Sequence, residues 1–361
     1  MARLKIPYES LDPLTIGSAG DESKVYREEL ELEVPDENLL AAIYPDEPDP
    51  VANATDAACD ALANPLRGPS LRQIVDGGKS VAIVIDNQFR PTPVSKLLPA
   101  VFDVLEEAGV KDACVITGNG KVFPLSESDI DEIASMAGLA YTLNVLLDTR
   151  GRVVDIVGGP HPQAHREAIE RFNAIYTYEN PVAEKGHADI AICGVFAPTD
   201  HLFFHTGWGC MSADFVLRDG GTLIYTSPSP GVSTAVGDFP GLALMDLMKP
   251  YMPPTPENYE RVLKDIHARA IQMWAGCIWV PIYEVMTRKH LTLVTLEENL
   301  EMAADIGIDA TTSLDEAFAE AMERHGPDAK VIVLPYARYQ LPANMVRMDA
   351  ESLRFPHETL A

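Results

Sequence analysis

The chain has 361 residues, room for two domains of ordinary size with well-buried cores. Its 47% apolar and 23% charged residues exclude a disordered chain. With 54 acidic against 28 basic residues, the net charge of −26 excludes nucleic acid and anionic membranes as partners, because both would repel it.

Residues 1–45 alternate weakly in LKIPYES and EELELEVPD and predict an edge hairpin. DPVANATDAACDALANPL holds a helix closed by Pro65. VAIVID is a short apolar run of the kind found in buried parallel strands. The helix after RPTP places Leu97, Val101, Leu105 and Ala108 on one face, with Gly109 at its C′ position, and ACVIT is the next strand. YTLNVLLDTRGRVVDIVGG reads as an antiparallel hairpin about a TRG turn, and HPQAHREAIERFNAIY as a helix. ADIAICG and GGTLIYTS are further strands; proline-rich KPYMPPTPEN precedes a helix over ENYERVLKDIHARAIQMW. LTLVT, a helix over SLDEAFAEAMERHG with a Ser313–Glu316 capping box, and AKVIVLP complete the pattern.

This rhythm predicts an α/β protein: two α/β domains, residues 1–137 and 138–361, with mainly parallel sheets and an active-site crevice between them at the strand carboxyl ends. The five cysteines form no CxxC pair, and MARLKIPYES has no apolar leader, so a reducing cytoplasmic location is expected.

Four features can carry chemistry. In NQFRPTP, at the carboxyl end of VAIVID, the planar fork of Arg90 suits a carboxylate, and Pro91 and Pro93 stiffen the loop; a pairing of Arg90 with Asp86 is the plainer alternative. In GNGKVFP, two glycines allow close backbone approach and Lys121 supplies a point charge, although a plain turn with a solvated lysine satisfies the local sequence equally. His161/His165 and His201/His205 have the i, i+4 spacing that can share a metal, but neither has an HExxH acid; general acid/base work suits His205 better. APTDH and SPSPG close two more strands and bring Asp200, His205, Trp208 and the amides near Gly231 to the crevice, with Asp200 alternatively a helix N-cap.

IDNQFRPTP, the helix to EEAGV, ITGNGKVFPLSESDI, and the later runs TLNVLLDTRGRVVDIVGGPHPQAH and ADIAICGVFAPTDHLFFHTGWGCMSADFVLRDGGTLIYTSPSPG together resemble the nickel-pincer lactate racemase family, 2-hydroxyacid racemases and epimerases. The resemblance covers about residues 75–340. It implies racemisation or epimerisation of a small 2-hydroxy acid by hydride transfer to a nickel-pincer nucleotide. Residue by residue, Arg90 is retained in the family's Asp-x-Thr-Arg-Pro-x-Pro loop, Asn87 stands at its aspartate and Asp86 is adjacent. Gly120 and Lys121 replace a His-Arg pair. Asp200 is kept in the Asp-x-x-x-x-Gln-x-x-Lys pattern, where His205 takes the glutamine place and Trp208 the lysine place.

The family also carries, between the positions of Ile133 and Leu139, a long segment with a Ser-Gly-Gly-x-Lys motif whose lysine tethers the cofactor; this chain passes from SDIDEIAS straight into AGLAYTLNV. The resemblance therefore implies a divergent member without the family's cofactor tether, and no metal ligands are assigned. Expected catalytic residues are His205 as base and Lys121; Arg90, Asn87, Asp86, Asp200, Trp208 and His165 are expected to bind a small anionic carboxylate substrate. The alternative is a non-catalytic binding or assembly protein that retains the anion-binding crevice; a homo-oligomer is compatible with either.

Overall fold

The computed structural model describes residues 1–11, 24–76, 79–86, 92–118, 127–179, 181, 188–194, 207–229, 249–271 and 273–343. In chain order its elements begin with β1 (Ala2–Leu11), β2 (Lys24–Val34) and β3 (Leu39–Ala42). Then come α1 (Ala54–Ala63), α2 (Leu71–Val75), β4 (Val81–Asp86), α3 (Val94–Glu107), β5 (Ala113–Gly118), α4 (Glu127–Met136), β6 (Thr142–Leu147), β7 (Val153–Gly159) and α5 (Gln163–Tyr176). The chain continues through β8 (Thr177–Tyr178), β9 (Ala188–Gly194), α6 (Gly207–Asp214), β10 (Leu217–Thr226), α7 (Pro256–His267), α8 (Met273–Arg288), β11 (His290–Val294) and α9 (Leu300–Asp305). It ends in β12 (Asp309–Thr311), α10 (Leu314–His325), β13 (Val331–Leu334) and β14 (Leu341–Pro342). No helix among the described residues is long and apolar enough to cross a membrane.

Two compact units emerge. One contains the described residues of Met1–Thr15, Lys24–Pro45 and Thr177–Arg347; the other is built on Asp46–Tyr176. The division expected near residue 137 thus differs from the one observed, and strand pairing explains why. β3 hydrogen-bonds to β13, with Leu39 opposite Val331, which commits the described residues of Met1–Thr15 and Lys24–Pro45 to the later unit. The β6–β7 hairpin instead buries Val153 and Ile156 with Leu62 of α1 and Leu97, Ala100 and Leu105 of α3.

The larger unit is a six-stranded sheet in the order β12-β11-β10-β9-β13-β3, every adjacent pair parallel. Alternate strand residues serve two cores. Ala191, Cys193, Leu223, Tyr225, Leu293 and Ile332 pack with α6, α7, α8 and α9. Ile190, Ile192, Ile224, Val331 and Val333 pack with the antiparallel β1–β2 hairpin and with Leu314, Ala317 and Phe318 of α10. Burial of both faces accounts for runs such as ADIAICG that lack polar alternation.

Sequence and structure disagree at one helix. The segment expected as one helix to Trp274 is two: α7 stops at His267, Arg269 adopts a positive φ of 60°, and α8 begins at Met273. The Ser313–Glu316 box is half formed. Ser313 Oγ accepts from the Glu316 N–H at 3.2 Å, while the Glu316 carboxylate turns to Thr311 Oγ1 at 2.9 Å.

In the smaller unit, β4 and β5 form a two-stranded parallel sheet and β6 and β7 an antiparallel one. Gly109, φ +73°, ends α3 as expected. α4 ends in a Schellman motif: Gly138 has φ +71°, its N–H donates to Ser135 O at 3.0 Å, and the Leu139 N–H donates to Ala134 O at 2.9 Å.

Candidate functional site

In the larger unit the chain order steps one way from β9 through β10, β11 and β12, and the other way to β13. The β9/β13 boundary is therefore the topological switch point, the place where open parallel sheets bind ligands beyond their carboxyl ends. β9 ends there at Gly194. A Cβ on Gly194 would lie 2.0 Å from the Pro335 carbonyl oxygen, so only glycine permits this approach of the two strand ends. Cys193, just before it, is wholly buried, and burial pushes its thiol well up, which leaves it an inert packing group.

The loop expected to carry Asp200 and His205 departs from Gly194, and both residues lie outside the described residues. Trp208 falls on the first turn of α6, described for its backbone alone. The described part of SPSPG is better defined. Beyond β10, Thr226, Ser227 and Ser229 are all completely buried. Thr226 Oγ1 donates to Pro7 O at 3.2 Å, the Ser227 and Ser229 hydroxyls are 2.8 Å apart, and the Ser227 N–H donates to Val294 O at 2.9 Å.

Holding this turn is Asn299, 0% exposed. Its Nδ2 lies 3.0 Å from each of Pro228 O, Ser229 O and Thr295 Oγ1. Thr295 Oγ1 in turn approaches Pro228 O at 3.3 Å. Ser229 has φ +42°, a left-handed conformation that serine adopts only when its surroundings over-determine it. Asn299 Oδ1 is buried with no hydrogen-bond partner among the described residues. The sequence reading missed Asn299 altogether. It sits in EEN between a strand and a short helix, where an asparagine looks like an ordinary helix start; only the three-dimensional closeness of β10 and β11 assigns it the turn.

In the smaller unit, Asp86 and Gly118 are paired residues at the carboxyl ends of β4 and β5. The Asp86 carboxylate accepts a short hydrogen bond from Thr92 Oγ1. This bond clasps the two ends of the segment holding Asn87 and Arg90, which lie outside the described residues, as does Lys121 beyond β5. Asp86 thus has Thr92 as a partner at the root of the loop.

His165 lies on α5, half-buried. Its Nδ1 is 3.2 Å from Asn144 Oδ1, while Asn144 Nδ2 donates to Thr142 Oγ1 at 3.0 Å and Val157 O at 3.2 Å. Because Oδ1 only accepts, His165 carries its proton on Nδ1, and the contact fastens α5 to the β6–β7 hairpin. The His161 and His165 rings are 6.3 Å apart between centroids. Among the described residues no three His, Cys, Asp or Glu side chains gather as a metal site.

The opposite, amino edge of the larger sheet carries several ionic contacts among the described residues. Arg218 Nε donates to Asp189 at 2.6 Å, the Lys330 N–H donates to the other Asp189 oxygen at 2.8 Å, and Lys289 and Arg288 both bind Asp214. Burial would raise the Asp189 carboxyl, but the Lys330 and Arg218 bonds outweigh it and hold it lowered. Asp189 and Arg218 lie near strand starts, Lys289 and Lys330 just before strands, and Asp214 and Arg288 at helix carboxyl ends, away from the carboxyl edge of the sheet.

The lactate racemase N-terminal domain family matches residues 26–135. A curated relative, the lactate racemase of Lactiplantibacillus plantarum, is 23% identical over 210 residues, 57% of this chain and 46% of that protein. The chain therefore aligns with about half the length of that relative. Among solved structures, the lactate racemase apoprotein of Thermoanaerobacterium thermosaccharolyticum superposes with a TM-score of 0.73 at 16% identity, covering 94% of this chain and 100% of the other, and has the same fold.

Proposed function

We propose that this chain, a divergent member of the lactate racemase family, takes a small 2-hydroxy carboxylate as its ligand and acts, where it turns over, as a racemase or epimerase at the hydroxyl-bearing carbon. The observation that carries the reading is the Asp86–Thr92 clasp at the carboxyl end of β4. It closes the root of the loop in which Arg90 occupies the family's arginine position. In this reading Arg90 holds the carboxylate in bidentate geometry, with Lys121 adding charge. His205 accepts the hydroxyl proton, because an imidazole changes charge near neutral pH. Asn87, Asp200 and Trp208 line the ligand.

The family's reaction moves the α-hydrogen as hydride, with the nickel-pincer nucleotide as acceptor. The residues of this chain do not fit that group in the family's manner. α4 closes in the Schellman motif at Gly138 and β6 starts at Thr142, so the connection has no place for a tethering segment. The sequence has no lysine between Lys121 and Lys185. The same connection favours a second reading, a protein that binds the hydroxy acid without turnover.

The two readings separate in one experiment. Protein from cells that synthesise the nickel-pincer nucleotide is analysed by intact mass and nickel content, then incubated with L-lactate and assayed by chiral chromatography for D-lactate. Formation of D-lactate supports the isomerase. Saturable lactate binding without conversion supports the binding protein, and neither binding nor conversion overturns both.

A further inference from the structure

In a chain with 54 acidic and 28 basic residues, the stretch 77–102 reverses the balance. It holds Lys79, Arg90 and Lys96 against a single acid, Asp86. That acid stands four residues before Arg90, close enough along a loop to reach its guanidinium. A carboxylate tethered so closely has an effective concentration of the order of millimolar, and competes with any free carboxylate offered at that level. A site that takes a carboxylate on Arg90 therefore needs its own neighbouring acid held away.

Asp86 is the last residue of β4, exposed, and its strand partner Gly118 has no side chain to offer it. Among the described residues, Thr92 is the partner its carboxylate has: Thr92 Oγ1 donates a short hydrogen bond to Asp86 Oδ2 from the far side of the loop. The acceptor is charged, which makes the bond stronger than one between neutral groups. Thr92 is itself fixed, because its carbonyl accepts from the Val94 N–H at 2.8 Å where α3 begins.

We propose that Thr92 is a positioning residue whose hydroxyl occupies Asp86 and so leaves Arg90 open to the ligand carboxylate. This rests on the 2-hydroxy carboxylate reading of the site. The effect falls on affinity. Once Asp86 is released, part of the population has Arg90 already paired, and the apparent dissociation constant rises by the inverse of the fraction left free.

Isothermal titration of the full chain with L-lactate tests this on the unaltered protein, Thr92→Val, Thr92→Ser, and Thr92→Val combined with Asp86→Asn. Thr92→Val should raise the dissociation constant about threefold or more. Thr92→Ser keeps the hydroxyl and should stay within about twofold of the unaltered chain. The double variant should also return to within about twofold, because an uncharged amide does not quench Arg90. That last protein separates the proposal from a plain structural role: a clasp that only shapes the loop is lost in the double variant too, which would then stay weak. Thermal melts confirm that each variant is folded, and Thr92→Ala stands in for Thr92→Val if the valine variant is not. Thr92→Val binding as tightly as the unaltered chain overturns the proposal. So does a serine variant as weak as the valine one, or a loss that Asp86→Asn does not relieve. Any of these with lactate still bound by the unaltered chain leaves the reading of the site standing; no binding by the unaltered chain overturns that reading and the proposal together.

Discussion

Asn299 holds Ser229 by its backbone: the side-chain amide donates to the Ser229 carbonyl at 3.0 Å, and Ser229 sits at φ +42°. The same nitrogen also serves Pro228 O and Thr295 Oγ1, so one buried amide sets the conformation of the turn that ends β10. Asn299→Leu keeps the volume and removes the donor, leaving two carbonyls buried without it. The expected cost is about 3 kcal/mol, read as a fall in the urea midpoint at unchanged slope. A change within about 0.5 kcal/mol would show that the turn does not depend on Asn299.

Two glycines should respond differently to alanine. At Gly138 the obstacle is the backbone alone, since φ is +71° and nothing lies within 4 Å of a new Cβ; Gly138→Ala should cost about 1 kcal/mol. At Gly194 a new Cβ meets the Pro335 carbonyl at 2.0 Å. The strand ends must part, so the loss should be about 3 kcal/mol or more. Thermal melts of the two variants side by side check the order; equal losses would contradict the close approach at the switch point.

Stability should fall as the solution is acidified below neutrality, and His325 should account for part of the fall. Arg218 donates to its Nδ1 at 3.1 Å, so the neutral ring carries its proton on Nε2 and donates to Thr222 Oγ1 at 2.8 Å. Burial first and then Arg218 hold its pKa below the ordinary 6.5, with Arg324 and His290 adding to the shift and Asp189 opposing it. A lowered folded value means the unfolded chain takes the proton more readily. The contribution is therefore complete above 6.5 and is lost as pH falls through 6.5 toward the folded value. Asp189 acts in a separate window, its stabilisation lost below 3.8. Denaturation at pH 8 and pH 5 should show a smaller difference for His325→Gln than for the unaltered chain; equal differences would remove His325 from the account.

Much of the fold was legible in the residues. ADIAICG, GGTLIYTS, LTLVT and AKVIVLP are all strands of the parallel sheet, because a strand buried on both faces leaves an unbroken apolar run. The unit boundary was not legible: β3 is four residues of LLAA, and its pairing with β13 bridges nearly three hundred residues of sequence, which no local pattern records. The break between α7 and α8 was hidden for a different reason, since a positive φ at Arg269 has no signal in a residue type that rarely adopts one. At the site, the sequence placed the loops at strand carboxyl ends, and the strands end where it put them. Asn299 escaped because its role is defined by a turn seventy residues away.

A small 2-hydroxy carboxylate held by Arg90, as proposed, would bind the chain saturably and depend on that guanidinium. Isothermal titration of the full chain with L-lactate, repeated on Arg90→Ala, tests it most directly. The expected result is saturable binding with one site per chain, weakened at least tenfold by the substitution, the loss of a charge-assisted bidentate contact worth about 1.5–3 kcal/mol. Equal affinity in the two proteins, or no binding by the unaltered chain, would contradict it.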